Sequence, residues 1–123
     1  MKKVSCIFIS ILLIISLAGC SPDFNGSRTG NDSQFIMKYT AFNTTDSQDL
    51  LVEAGDKINA KIVIDGGHLS IKIQKGQEEP VYESENVFFS NDFDLDIEES
   101  GTYTVTVTGK KAKGSVRFVV ENS

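Results

Sequence analysis

Residues 57–74 read Lys-Ile-Asn-Ala-Lys-Ile-Val-Ile-Asp-Gly-Gly-His-Leu-Ser-Ile-Lys-Ile-Gln. Ile58, Ala60, Ile62 and Ile64 alternate with Lys57, Asn59 and Lys61. A strand sends successive side chains to opposite faces, so this period of two predicts a sheet with one buried side. Asp65-Gly66-Gly67 then reads as a turn, because glycine reaches positive φ without a Cβ clash. Leu69, Ile71 and Ile73 return on the buried face, with Ser70, Lys72 and Gln74 opposite. The stretch therefore predicts a β-hairpin.

The same period recurs on both sides. Phe35, Met37 and Tyr39 alternate with Ile36, Lys38 and Thr40, and Leu50-Leu51-Val52 runs into an Ala54-Gly55-Asp56 turn. Pro80 opens a short run at Val81 and Tyr82, a position that suits proline at a strand start or edge. A second hairpin is expected from Phe93, Leu95 and Ile97, a turn at 98–101, and Tyr103, Val105 and Val107. A closing strand with Val116, Phe118 and Val120 inward follows a loop from Gly109 to Gly114. No helical period of useful length follows residue 20. Seven or eight short strands at this spacing predict an all-β, antiparallel β-sandwich, either jelly-roll or immunoglobulin-like. Tyr103 is expected to be partly buried, its hydroxyl paired near the preceding turn.

The 123 residues carry a formal charge of −5 and two cysteines, Cys6 and Cys20. At the N-terminus, Lys2 and Lys3 precede an uncharged, mostly aliphatic run from Val4 to Ala18. That run is shorter than the roughly 20 apolar residues a membrane span needs, and it ends in small residues, as an export signal does. Without Lys2 and Lys3, ten Lys or Arg face seventeen Asp or Glu. The excess of acid disfavours nucleic acid, which is held largely by cations on phosphate. It also disfavours adhesion to anionic lipid and predicts a domain that stands off a membrane.

Leu17-Ala18-Gly19-Cys20 resembles the lipobox of bacterial lipoproteins. The resemblance implies a signal peptide over 1–19, recognition of Leu17, Ala18 and Gly19 by the signal peptidase, and a diacylglyceryl group on the Cys20 sulfur. It places the protein on the extracytoplasmic face of the cell membrane, lipid-anchored, with this covalent lipid and no other cofactor. Each buried methylene contributes about 0.8 kcal/mol, so two chains anchor stably. With Cys6 removed and Cys20 acylated, no thiol remains for a disulfide or a zinc site. Ser21 to Gln34 is rich in Gly, Ser, Asn and Asp, so 20–34 reads as a flexible tether spanning roughly 20 Å. The folded domain is then 35–123.

Gly101-Thr-Tyr103-Thr-Val105-Thr-Val107, the Ala54-Gly55-Asp56 turn, Gly67-x-Leu69-x-Ile71-x-Ile73 and the closing strand together resemble small jelly-roll domains of secreted bacterial proteins. These domains include the pre-peptidase C-terminal and GOLD types, and the likeness covers about residues 50–120. Similar domains stand behind lipoboxes in Gram-positive lipoproteins. The resemblance implies a fold more than an activity.

Candidate sites are few. Asp92, Asp94 and Asp96 share a strand face, the donor type that hard cations take. Alternate strand positions lie about 6.6–7 Å apart, too wide to converge on one ion from a straight strand. A solvated face that protects a sheet edge is the expected role. His68 is the sole histidine, and no G-x-S-x-G elbow accompanies Ser70, so no catalytic set is expected. Lys110, Lys111 and Lys113 cluster between two glycines, where they could meet phosphate-rich polymers or lipid. Phe88 and Phe89 are adjacent and point to opposite faces in a strand, so one is a candidate surface contact. The expectation is a non-enzymatic surface lipoprotein that binds a protein, peptide or glycan. The alternatives are a structural or accessory subunit of an envelope complex and, below it, a calcium-dependent or hydrolytic domain.

Overall fold

The computed structural model describes residues 23–123. The expectations on Leu17, Ala18, Gly19 and Cys20, and on a signal helix, lie outside the described residues. Seven strands follow in order: β1 (Phe24–Asn31), β2 (Gln34–Phe42), β3 (Thr45–Val52), β4 (Lys57–Lys75), β5 (Tyr82–Val87), β6 (Asn91–Asp96) and β7 (Gly101–Glu121). Every pairing is antiparallel.

Two long strands organise the molecule. β4 and β7 pair from Lys57↔Glu121 to Lys75↔Tyr103. Their halves take different outer neighbours. The first half of β7 pairs with β3 and its second half with β2. The first half of β4 pairs with β6 and its second half with β5. β1 adds to the free side of β2. One continuous ladder thus folds over itself into two layers, β1-β2-β7-β4-β6 and β3-β7-β4-β5, hinged where β4 and β7 bend. The all-β antiparallel sandwich is as expected.

The bend replaces the expected hairpin. Ile58, Ala60 and Ile62 are buried at even positions, then Leu69, Ile71 and Ile73 at odd ones. In β7, Tyr103, Val105 and Val107 are buried before the phase moves to Ala112, Val116 and Phe118. A strand of period two can change phase only where its regular pairing is broken, and irregularities sit between Ile64 and Gly66 and between Gly66 and His68. Gly67 (φ 66°) and Gly114 (φ 136°) take conformations that side chains resist. A Cβ on Gly114 would lie 1.9 Å from the Val63 carbonyl oxygen.

Three other expectations change with it. Gly109 to Gly114 is the elbow of one strand, not a loop between two. β6 pairs with β4 and makes no hairpin with β7. Residues 24–31 are not tether but edge strand β1, paired from Phe24↔Phe42 to Asn31↔Gln34, so the folded domain starts at residue 24 instead of 35. β1 lacks an apolar period because its side chains are almost all exposed. It is held instead by its ladder and by Arg28, whose Nε donates to Asp46 Oδ2 at 2.8 Å. The same guanidinium lies 4.8 Å over the Phe35 ring, joining β1 to β3 at one side of the sandwich. On the other side Tyr82 stacks on Phe93 at 4.7 Å, joining β5 to β6.

Between the layers Phe35, Met37, Phe42, Leu50, Ile62 and Phe118 belong to one continuous core. The Tyr103 hydroxyl donates to the Glu99 carbonyl at 2.6 Å, as expected. The Asp56 carboxylate, buried, accepts from the backbone N–H of Glu53 at 3.3 Å and of Ser123 at 3.2 Å. It closes the end of the sandwich away from the bends.

Candidate binding surface at the bent edge

The bends and the connections that pass them form one edge of the molecule. Asn43 N–H donates to the Asp23 carbonyl at 2.7 Å, and Lys111 N–H donates to Asn43 Oδ1 at 2.9 Å. Lys113 sits opposite Gly66 and Lys110 opposite His68. Ile64 N–H donates to Ser90 Oγ at 3.0 Å, and the His68 ring lies 4.9 Å from that of Phe88. The order along the edge is therefore Asp23, Asn43, the lysine elbow, the Gly66–His68 bend and the Phe88–Ser90 connection.

This edge unites residues that the sequence left separate. Phe88 is 54% exposed and Phe89 is 83% exposed, so both, not one, face solvent. Lys110, Lys111 and Lys113 stand beside them at the elbow and enter none of the four ion pairs among the described residues. His68 packs on Phe88.

Asp92, Asp94 and Asp96 lie away from this edge's aromatics, on β6, opposite Lys61, Asn59 and Lys57. The Asn59 amide donates to Asp94 Oδ1 at 2.8 Å and to Asp92 Oδ1 at 3.4 Å. Lys57 Nζ is 3.7 Å from Asp94 Oδ2. The oxygens of Asp92 and Asp94 thus serve cross-strand partners. Among the described residues no cluster of three or more His, Cys, Asp or Glu side chains is placed to hold a metal ion.

Sequence reasoning missed a groove of about 510 Å³ beside the elbow, lined by Lys38, Tyr39, Asp65 and Lys113 with Ser27 and Thr40. No local signal marks it, because it exists only where Gly26 of β1 and Gly114 of β7 flank Tyr39. The Tyr39 hydroxyl is the only buried side-chain polar atom without a hydrogen-bond partner among the described residues. Its ring packs on Phe42 at 5.1 Å, which holds the phenol in place. Burial, and after it the Asp65 carboxylate, push this phenol up to about 12 from an ordinary 10.0.

The shift sets a pH dependence. An unfolded tyrosine ionises near pH ~10. Above that, the unfolded chain gives up a proton that the folded chain keeps. The contribution of Tyr39 is whole below the unfolded value and is lost as pH climbs through the folded one. Tyr39→Phe is therefore expected to shrink the fall in urea midpoint between pH about 8 and about 11, with little change at neutrality. An unchanged alkaline fall would count against the placement of this hydroxyl.

No protein-family model matches the chain. No curated protein matches it. Among solved structures it is similar to the pre-peptidase C-terminal domain of a collagenase from Bacillus anthracis, at 14% identity over 84% of this chain and 100% of that one, with a TM-score of 0.49. It is also similar to a periplasmic inhibitor of g-type lysozyme from Aeromonas hydrophila, at 14% identity over 83% of this chain and 91% of that one, with a TM-score of 0.47.

Proposed function

We propose that this chain is an extracytoplasmic lipoprotein, held to the cell membrane by a diacylglyceryl group on Cys20, whose β-sandwich is a binding module without chemistry of its own. The groove carries the binding reading. Away from it, Arg28, Asn59, Lys75 and Tyr103 make direct bonds to other protein groups. At the groove, the Lys38, Asp65 and Lys113 side chains border a concave surface of the size small ligands occupy. Such a set offers hydrogen bonds and charge to a peptide or glycan and no nucleophile–base pair.

The anchor is tested by metabolic labelling with a tagged fatty acid. Wild type is expected to carry the label and to sediment with membranes. Cys20→Ser is expected to lose both. Equal labelling of the two would refute the anchor. Binding is tested by pull-down from detergent-solubilised membranes, in which Lys38→Glu with Lys113→Glu should lose a partner that wild type retains.

A further inference from the structure

The lipid reading leaves three residues between Cys20 and the point where the fold begins. At about 3.3–3.6 Å per residue, that chain reaches no more than about 11 Å. It ends at Asp23, whose carbonyl is bonded to Asn43 on the bent edge. The lipid therefore emerges beside the edge that carries the lysine elbow and the two exposed phenylalanines.

Charge is divided along the molecule in the same sense. Lys110, Lys111 and Lys113 lie at the bent edge, with Asp23 and Asp65 among them and His68 beneath Phe88. Glu53, Glu78, Glu79, Glu98, Glu99 and Glu121 lie on the turns and strand ends at the opposite end and outnumber Lys57 and Lys75 there. The half of β4 between the two ends, Lys57 to Ile64, spans roughly 25 Å at about 3.3 Å per residue. Screening operates over about 8 Å at physiological salt. The acidic end therefore does not cancel the attraction of the lysine end for an anionic surface, despite the net charge of −7 that remains without Lys2 and Lys3.

We infer that the bent edge, with Phe89 flanked by Phe88 and by Lys110, Lys111 and Lys113, docks on the anionic bilayer that carries the Cys20 lipid and turns the acidic end outward. This rests on the lipid anchor proposed above. Phenylalanine rings bury their apolar faces at the boundary between headgroups and acyl chains, and lysines beside them meet the phosphates. Phe89, at 83% exposure, is available without rearrangement of the core.

The chain has no tryptophan, so Phe89→Trp gives a single reporter. The acylated protein is reconstituted on vesicles rich in phosphatidylglycerol, with brominated lipid as quencher. Phe89→Trp emission is expected to shift to the blue and to be quenched, whereas Glu98→Trp, at the far end, is not. Each lysine near an anionic leaflet is worth about a factor of five, so Lys110→Gln, Lys111→Gln and Lys113→Gln together weaken docking about a hundredfold. Quenching is then lost, as it is on pure phosphatidylcholine, while the protein still floats with the vesicles. If the protein floats but Phe89→Trp is as unquenched as Glu98→Trp, the docked edge is wrong and the anchor stands. If the acylated preparation does not float, the anchor fails and the inference with it.

Discussion

Gly114→Ala will lower the stability of the folded domain by about 3 kcal/mol or more, and Gly76→Ala by about 1. Both glycines sit at positive φ, 136° and 56° respectively. Their surroundings differ. A Cβ at residue 76 meets nothing within 4 Å, while at 114 it would stand 1.9 Å from the Val63 oxygen and 2.9 Å from the Val63 carbonyl carbon. The first substitution costs only the conformational preference. The second also forces β4 and β7 apart at the fold between layers, where both strands change phase. Against a total of about 5–10 kcal/mol for a domain of this size, the loss removes a third or more of the stability. Urea midpoints of the two variants at neutral pH measure the difference. Equal midpoints would mean that the strands do not approach at the elbow.

That elbow also marks where local pattern stops being informative. Alternation in Ile58–Ile73 identifies strands and their buried face, and both are present. An Asp-Gly-Gly interruption satisfies a two-residue turn and a bulged bend equally well. Only the register of β4 against β7 over their whole lengths decides between them, and that register is formed by residues from 28 (Lys75↔Tyr103) to 64 (Lys57↔Glu121) positions apart. The short-range features were legible for the same reason in reverse. The Ala54-Gly55-Asp56 turn and the bond from the Tyr103 hydroxyl to the Glu99 carbonyl each involve residues only a few positions apart in the chain. β1 was illegible because Phe24–Asn31 contains no β-branched apolar residue. It becomes a strand because β2 offers an edge and Arg28 reaches Asp46 and Ser47 across the gap. The groove inherits that difficulty, since one wall of it is β1.

Phe118→Ala will cost about 3–5 kcal/mol, and Phe89→Ala less than about 0.5. Phe118 is fully buried and lies 6.3 Å from Phe35 in a near-parallel stack at 23°. In register it sits between Phe35 and Ala60, so the small alanine side chain cannot fill the space left behind. The cavity would open in the middle of the layer that also carries β1 and the groove. The urea midpoint should fall with an unchanged slope, because the surface exposed on unfolding stays nearly the same. Phe89, 83% exposed, leaves no cavity when truncated. Folding thus accounts for one of these phenylalanines and not for the other. If Phe89→Ala destabilises as much as Phe118→Ala, Phe89 is a core residue and is not free to meet a bilayer. If it leaves the midpoint in place and still weakens vesicle docking, its large apolar face is explained by contact outside the molecule.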